Sequence, residues 1–412
     1  MVPPKTILEI VSFIDMFSVG LIMPQLGNFA IKLGCNQLQI GTMGALYSAF
    51  QLISGPMIGT WSDLKGRKPT LILSLVLCAF AYVVLGFTTI ILTFFAVRSF
   101  LGIVKQTQLL VKALAPDYEI DSSEQAAVFG KLAALSSVGM SLGPIIGGHI
   151  MEVYPKNGFT VITCCSGLLF IVNASLIICL PDTNKEKEEN KKDNRKVAPC
   201  ILKSVINSVK ESVEEFYKVD WSIYWDVFLF KLLITLCMGT YFGSYGIFLK
   251  KIHAASPKYL GYIIAFQGGI GALCTYFIGH INQLYKNDKD FSKRLYHIFT
   301  VLTLGLLGMA LAPNLLCYVV FTIPLALSGA MGRIIGLEMI MNKGESDRRG
   351  ALIGATSSVR SLSGVVTPMF VGIIGEYLGI QYVLYFAALF AVMGILTSYI
   401  IGSQTVLKNK AD

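Results

Sequence analysis

The chain has 412 residues, of which 54% are hydrophobic and only 14% are charged, and its mean hydropathy is +0.64. A soluble domain carries about 25% charged residues, so this composition excludes a soluble enzyme, a secreted disulfide-rich scaffold and a disordered protein. The net charge of +9 is better explained by basic loops beside a membrane than by nucleic-acid binding. The cysteines form no CxxC pair, so we expect neither a metal site nor a cofactor.

Apolar runs long enough to cross a bilayer follow one another along the whole chain. The runs occupy residues 6–29, 38–60, 70–89, 91–115, 126–150, 159–180, 224–249, 259–284, 294–312, 314–340, 351–375 and 380–402. No cleavage signal of the A-x-A type follows the first run, so we expect a retained helix rather than a signal peptide. The pattern predicts an all-α membrane protein with twelve transmembrane helices.

A single long polar stretch divides these runs into two sets of six. We expect an N-terminal six-helix bundle over 1–180, a cytoplasmic linker over 181–223 and a C-terminal six-helix bundle over 224–412. Within the linker, residues 201–218 have the apolar spacing of an amphipathic helix lying on the membrane surface. Loops assigned to one side of the membrane hold 22 Lys and Arg residues, against 5 on the other side, which places both termini in the cytoplasm.

The two predicted bundles are related by a repeat. The interval of 14 residues between Gly130 and Pro144 recurs between Gly354 and Pro368. Repeats of this kind are typical of transporter folds, in which the binding site lies between the halves near the middle of the bilayer. A second repeated pattern, a polar residue five positions before a glycine, comprises Asn36–Gly41 and Ser256–Gly261.

The loop after the second run carries a ten-residue string whose key positions are Gly59, Asp63, Gly66, Arg67 and Lys68. Gly66 suits a tight turn, and Asp63 could pair with the cations or with a neighbouring helix end, so that the loop would latch the inner face of the protein. A simple helix-stop turn with solvated cations would explain single residues but not the whole string. The string resembles the G-x-x-x-D-R-x-G-R-R signature of the major facilitator superfamily, although Leu64 replaces the usual basic residue. That resemblance implies two pseudo-symmetric bundles and secondary transport.

The fifth run carries regularly spaced small residues at Gly130, Gly139, Gly143, Pro144, Gly147 and Gly148. Small residues let two helices approach closely and proline allows a bend, so a packing seam alone would explain the pattern. The pattern also resembles the signature of drug–proton antiporters in the same superfamily, which implies exchange rather than uptake. The stretches from Asp15 to Pro24 and from Arg98 to Ile103 resemble the first and fourth helices of tetracycline–proton antiporters. Residues 98–108 resemble animal orphan proteins of the superfamily, the tetracycline transporter-like proteins.

Ionisable residues inside membrane spans usually mark a transport pathway because they are costly to bury in lipid. Asp15 lies about 14 Å into the first helix at 1.5 Å per residue, with Ser12 and Ser18 on the same face. Asp15 is our candidate for proton coupling. The alternative is that it serves only as a structural partner for a nearby cation. Arg98, Lys105 and Lys112 are seven residues apart on the predicted fourth helix, so we expect them to form one cationic stripe.

Buried cations outnumber buried acids in the predicted spans, which predicts a positive cavity that favours an organic anion or a zwitterion. Gln51 and Gln267 each follow an Ala-Phe pair, and Tyr241 and Tyr245 are four residues apart. Packing would explain these four residues equally well. Arg333 is expected nearer the inner interface. The candidate cavity residues are Arg98, Lys105, Lys231, Arg360, Gln51, Gln267, Tyr241 and Tyr245.

These features predict a secondary active transporter that works by alternating access and exchanges a small organic solute for protons. Its expected partners are the lipid bilayer, the solute and protons, with no nucleic acid, and we expect a monomer. A uniporter or symporter of the same fold is the nearest alternative. A non-transporting sensor or docking protein is another, with 201–218 as its docking segment. Because the chain lacks a nucleotide-binding loop and an HExxH motif, we do not expect an enzyme.

Overall fold

The computed structural model describes residues 3–119, 122–181, 220–286, 288, 290–344 and 349–411. Each of the twelve apolar runs coincides with a helix or a pair of helices. Nine of the described helices are long and apolar enough to cross a membrane, so the prediction of an all-α membrane protein is confirmed. The described α-helices are α1 Pro4–Lys32, α2 Gln37–Lys65, α3 Arg67–Gly86, α4 Ile91–Val104, α5 Thr107–Leu114, α6 Ser122–Val153, α7 Gly158–Ile178, α8 Trp221–Ile252, α9 Pro257–Tyr276, α10 Ile278–Gln283, α11 Ser292–Leu311, α12 Leu315–Lys343, α13 Arg349–Tyr377 and α14 Ile380–Ala411.

Two of the predicted runs are interrupted helices. The prediction of one continuous helix over 91–115 is wrong, because α4 ends at Val104 and α5 begins at Thr107. The three cations Arg98, Lys105 and Lys112 therefore do not share one helical face. The run over 259–284 is likewise divided into α9 and α10.

The described residues form two compact units. The first unit takes in those within Met1–Cys35, Leu46–Val213 and Ser256–Tyr262, and the second takes in those within Asn36–Ala45, Glu214–Ala255 and Ile263–Asp412. The domain boundaries drawn at 180 and 224 stay a prediction, because the described part of the chain omits 182–219. The amphipathic segment 201–218 lies wholly outside the described residues.

In the first unit, α1 packs along α6 and α7, and α3 packs along α7. Glycines four residues apart make the contact between α1 and α6 very close. A Cβ atom at Gly139 would lie 2.5 Å from the carbonyl oxygen of Phe13, and one at Gly143 would lie 2.5 Å from that of Phe17. Gly147 packs against Leu21 in the same way. Gly139, Gly143 and Gly147 of the fifth run therefore have a direct structural role in helix packing, whereas Gly130 has nothing within 4 Å of its Cβ position.

In the second unit, α8 contacts α12, α13 and α14. A Cβ atom at Gly332 of α12 would lie 2.7 Å from Cδ1 of Ile234 on α8. On another side of α8, a Cβ atom at Gly239 would lie 3.0 Å from Cγ2 of Thr367 on α13. These contacts fix the register in which α8 lies beside both helices.

Candidate functional site

A buried ion pair joins the first and fourth spans of the first unit. The ammonium group of Lys105 donates to Oδ1 of Asp15 at 2.5 Å, and the amide of Gln108 donates to Oδ2 at 2.9 Å. The Asp15 side chain is 0% exposed and that of Lys105 is 4% exposed. Lys105 also lies over the ring of Phe170, with its nitrogen 5.1 Å from the ring centroid. Both oxygens of a completely buried carboxylate are thus held by two side chains from the interrupted fourth span.

The surroundings of this pair are polar. The hydroxyl of Thr107 accepts a hydrogen bond from Lys105 at 3.4 Å. The hydroxyl of Ser136 donates to the carbonyl oxygen of the Gln108 amide at 3.3 Å. Ser12 and Ser18, predicted to share the face of Asp15, are both fully buried. Sequence reasoning did not assign a role to Gln108, although the residue lies within the stretch 98–108 that carries one of the resemblances.

The interruption between α4 and α5 occurs at Lys105 and Gln106, and side chains of α2 and α3 satisfy the carbonyl groups that it frees. Gln51 donates to the carbonyl oxygen of Lys105 at 3.1 Å, and Ser74 donates to that of Val104 at 2.6 Å. Gln106 in turn donates to the hydroxyl of Ser54 at 2.8 Å. Backbone groups inside a bilayer need internal partners. Gln51, predicted to line the cavity, therefore supports the break that presents Lys105 to Asp15.

Arg98 is a second buried cation of the first unit, two turns before the break. Its guanidinium carbon lies 4.4 Å from the centroid of the Tyr47 ring, and the residue is 4% exposed. Its Nε atom has no hydrogen-bond partner, and no carboxylate among the described residues forms an ion pair with it. Arg98 is held by a cation–π contact, which leaves its positive charge uncompensated.

The predicted latch residues lie at the turn between α2 and α3. Gly66 has a φ of 102°, which favours glycine at this tight turn. Arg67 contacts Asp63 through Nε at 3.0 Å, Asp117 through a terminal nitrogen at 3.1 Å, and the carbonyl oxygen of Ala113 at 2.7 Å. Lys68 donates to the carbonyl oxygen of Leu180 at 2.6 Å. Gly59, by contrast, has nothing within 4 Å of where a Cβ would lie.

The latch string therefore connects four chain segments of the first unit, namely the ends of α2, α3, α5 and α7. The sequence offered the loop cations as partners of Asp63, and in the structure that partner is Arg67. It did not indicate the other two partners of Arg67, because Ala113 and Asp117 are 46 and 50 residues away. The fold brings these residues together although they are far apart in the sequence.

Several predicted cavity residues of the second unit lie in its packed interior. Tyr241 is 0% exposed and its hydroxyl accepts a hydrogen bond from the amide of Gln267, which is 7% exposed. The ring centroids of Tyr241 and Tyr245 are 6.0 Å apart. This placement agrees with the packing interpretation of these residues. The hydroxyl of Tyr245 and the amide oxygen of Gln267 are buried without a hydrogen-bond partner.

Lys231 and Arg360 occupy more accessible positions of the second unit. Lys231 on α8 is half-buried and Arg360 on α13 is exposed. Neither side chain forms an ion pair with a carboxylate of the described residues. The two positive charges are close enough to interact electrostatically. The structure thus brings these two cations, which lie on separate helices, close enough to interact.

An ion-pair cluster in the second unit was not predicted. Arg294 at the start of α11 contacts Glu338 of α12 at 3.1 Å and Asp288 at 3.4 Å. Together with Asn282 and Tyr285 these residues line a polar cavity of about 330 Å³. Two acids, Asp288 and Glu338, and two cations, Arg294 and Lys286, line this cavity, so it carries no excess of negative charge.

A further polar cluster of the first unit gathers around Glu152 near the end of α6. Its carboxylate accepts from Lys258 at 2.7 Å and from Ser256 at 3.0 Å. One turn earlier, His149 contacts the hydroxyl of Tyr262 at 2.8 Å. These contacts tie the segment 256–262 to α6.

Comparison with known proteins gives the family. Residues 8–342 match the family model described as the Major Facilitator Superfamily. Among curated proteins, a tetracycline resistance protein of class D from Salmonella ordonez is 30% identical over 173 residues, which is 41% of this chain and 43% of that protein. A class B tetracycline resistance protein from Escherichia coli is 30% identical over 40% of this chain and 41% of its own length. The chain thus spans about two fifths of the length of the curated relatives it matches.

Solved structures resemble the fold over almost the whole chain. A bacterial homologue of the human lysosomal transporter Spinster, in an inward-facing and unoccupied conformation, superposes with a TM-score of 0.77 at 13% identity and covers 98% of this chain and 97% of that one. The human organic anion transporter MFSD10 (TETRAN) gives a TM-score of 0.61 at 17% identity, over 96% of this chain and 100% of the other. At these identities the likeness concerns the fold.

Proposed function

The chain belongs to the major facilitator superfamily, and we propose that it is a secondary active transporter that moves a small organic anion or zwitterion across a membrane in exchange for protons. The observation that carries this proposal is the buried pair of Asp15 and Lys105, whose atoms are 2.5 Å apart. Ionisable groups buried this deeply in a membrane span are costly unless they are paired. Their presence is best explained by a role in which the pairing is made and broken.

Protonation of Asp15 would remove the negative partner of Lys105. The ammonium group would then be a buried cation without a counter-ion, which costs several kcal/mol. A substrate carboxylate can compensate that charge, so the state of the proton on Asp15 controls the affinity of Lys105 for an anion. The uncompensated guanidinium of Arg98, which is 4% exposed, adds a second contact for the same negative group.

The direction of coupling has two candidates. The small-residue pattern of α6 resembles that of antiporters and favours exchange, in which proton and solute move in opposite directions. The pair itself supports cotransport as the second candidate, because a proton on Asp15 and an anion on Lys105 stabilise one another and would be carried together. The two directions differ in the sign of the pH change that accompanies solute uptake.

The remaining parts of the proposal concern gating and orientation. The contacts of Arg67 with Asp63 and Asp117 support a latch that has to open when the inner face of the transporter opens. The excess of Lys and Arg in one set of loops supports cytoplasmic termini. A monomer suffices for this mechanism.

Reconstitution in liposomes with a trapped pH dye tests the proposal. Membrane-impermeant organic anions, zwitterions and cations are added outside, and solute uptake and internal pH are recorded together. Exchange makes the interior more alkaline, and cotransport makes it more acidic. Asp15→Asn should abolish the pH change, whereas Glu9→Gln, which removes an acid from the same helix, should leave it intact.

Uptake without any pH change would remove proton coupling from the proposal. The absence of uptake for every solute, in protein that remains folded, would overturn transport itself and favour a sensor on the same scaffold.

A further inference from the structure

Three cations of the second unit stand close together without an acidic partner. Lys231 lies on α8, Arg333 on α12 and Arg360 on α13. Arg333 and Arg360 are the charged groups that act on Lys231, and Arg360 also acts on Arg333. None of the three forms an ion pair with a carboxylate in the part of the chain that the structure describes.

Helix packing independently places these residues at one level. Gly332, the neighbour of Arg333, packs against Ile234, which is one turn after Lys231 on α8. Gly239 of α8 packs against Thr367 of α13. Two turns earlier along these two helices, Lys231 therefore lies level with Arg360. The three cations therefore surround one point at which α8, α12 and α13 meet.

The depth of this cluster excludes the lipid headgroups as its surroundings. Lys231 lies ten residues after the start of α8, and Arg333 lies ten residues before the end of α12, which is about 15 Å along each helix. The hydroxyl of Tyr224 donates to the carbonyl oxygen of Lys343, so these two helix ends lie on the same side of the unit. The two helices have 32 and 29 residues and are about 48 and 44 Å long, which exceeds a hydrocarbon core of about 30 Å. The backbone of the cluster therefore lies inside the core, within about 10 Å of the side that these two ends face.

The exposure of the cluster indicates that it faces water. Arg333 and Arg360 are exposed, and Lys231 is half-buried. Charged side chains in a membrane span face a water-filled cavity or the protein interior, because contact with hydrocarbon is too costly. The cluster is therefore accessible to a solute dissolved in that water.

None of the described acids of the second unit forms an ion pair with these three cations. Asp226 is paired with Lys343, and Glu338 is paired with Arg294. Glu376 accepts the backbone N–H of Gln37. A local excess of three positive charges attracts a mobile anion. In the first unit Asp15 already neutralises Lys105, and among the described buried cations of that unit only Arg98 is left without a counter-charge.

We propose that Lys231, Arg333 and Arg360 form one anion-binding site whose physiological ligand carries at least two negative charges, such as a dicarboxylate or a phosphate monoester. A single carboxylate would leave two of the three cations without a partner. Two guanidinium groups also suit planar oxyanions, which they bind through paired hydrogen bonds. This site rests on the proposed transport function and narrows its substrate class from organic anions to multivalent ones.

A charge series on one molecular frame tests this site. Benzoate, isophthalate and benzene-1,3,5-tricarboxylate place one, two and three carboxylates on the same ring. Equilibrium binding to the full chain in phosphatidylcholine nanodiscs is measured at constant ionic strength and pH. We expect affinity to rise about tenfold with each added carboxylate, since each gains a charge-assisted hydrogen bond.

Substitutions locate the binding. Arg333→Gln and Arg360→Gln should each lower the affinity for the tricarboxylate by about tenfold or more. Arg333→Lys should restore only part of it, because lysine retains the charge but not the paired hydrogen bonds. Lys251→Gln removes an exposed cation from the other end of α8 and should leave the affinity unchanged. Melting temperatures of all variants establish that they are folded.

Equal affinity for the three ring compounds would overturn the proposal, as would a tricarboxylate affinity that is insensitive to both arginine substitutions. The binding measurement uses neither a proton gradient nor turnover. Loss of the multivalent preference is therefore distinguishable from failure of the proposed transport, which would appear as an absence of uptake in liposomes while binding persists.

Discussion

Gly261 at the start of α9 packs directly against the carbonyl oxygen of Pro144 in α6. The same relationship recurs between Gly41 at the start of α2 and the carbonyl oxygen of Pro368 in α13. Pro368 lies 224 residues after Pro144, so the repeat seen in the sequence corresponds to a repeated contact. Each glycine lies in the first turns of its helix and contacts the backbone of another helix at a proline.

Replacement of either glycine by alanine should impair the protein to a similar degree. A Cβ atom at both positions would overlap with backbone atoms, and overpacking of this kind costs about 1–3 kcal/mol. We expect Gly41→Ala and Gly261→Ala to lower the melting temperature in detergent, or the initial rate of solute uptake, by comparable amounts. Gly269→Ala on α9 is the matched control, since nothing lies within 4 Å of its Cβ position. A large effect at only one of the two sites would show that the contacts are not equivalent.

A second pair of glycines tests the seam between α1 and α6. Gly143→Ala should destabilise the protein by about 1–3 kcal/mol, because the new Cβ would lie 2.5 Å from the carbonyl oxygen of Phe17. Gly130→Ala in the same helix has open space around it and should be neutral or slightly stabilising, since alanine is the better helix former. Chemical unfolding in mixed micelles measures both. Equal losses at the two positions would contradict the packing role of the small-residue pattern.

Sequence periodicity and composition were sufficient for the helices, and short motifs indicated the family by resemblance, but neither was sufficient for the site. The twelve spans could be predicted because each needs a long apolar run, and Asp15 stood out because an acid in such a run is unusual. The pairing of Asp15 with Lys105 could not be predicted, since it depends on an interruption of the fourth span. That interruption has no proline or glycine signal, and its carbonyl groups are satisfied by Gln51 and Ser74, which come from other helices.

Arg333 shows the same limit in the second unit. Counting residues along its helix placed Arg333 nearer the inner interface, but a count on one helix cannot show that Lys231 and Arg360 lie beside it. The register of α12 against α8 is set by Gly332 and Ile234, and glycine contacts between distant helices cannot be deduced from one sequence.

The buried pair predicts a strong non-additive effect on stability. Asp15→Asn and Lys105→Gln should each cost about 3–5 kcal/mol, because each leaves one buried charge without its partner. The double variant should cost less than the sum of the two, since it leaves no uncompensated charge. Unfolding titrations of the four proteins, analysed as a double-mutant cycle, measure the coupling. Additive losses would mean that the two side chains are not in contact in the membrane.

The contacts of Arg67 predict that this cation, in the turn between α2 and α3, contributes much more to stability than its neighbour Lys65. Arg67→Ala removes contacts with Asp63, Asp117 and the carbonyl oxygen of Ala113 and should cost about 1–3 kcal/mol, as expected for hydrogen bonds to charged groups. Lys65→Ala removes an exposed cation two residues away and should change stability by less than about 0.5 kcal/mol.

The charge and the geometry of Arg67 can be separated with Arg67→Lys. The shorter ammonium group cannot bridge Asp63 and Asp117 as the guanidinium does, so we expect this variant to resemble Arg67→Ala rather than the unmodified protein. Thiol labelling of a cysteine introduced at Gly59, a position with open space around it, reports opening of the loop and should be faster in both variants. Labelling at the unmodified rate in Arg67→Ala would show that these contacts stabilise the loop without controlling access to it.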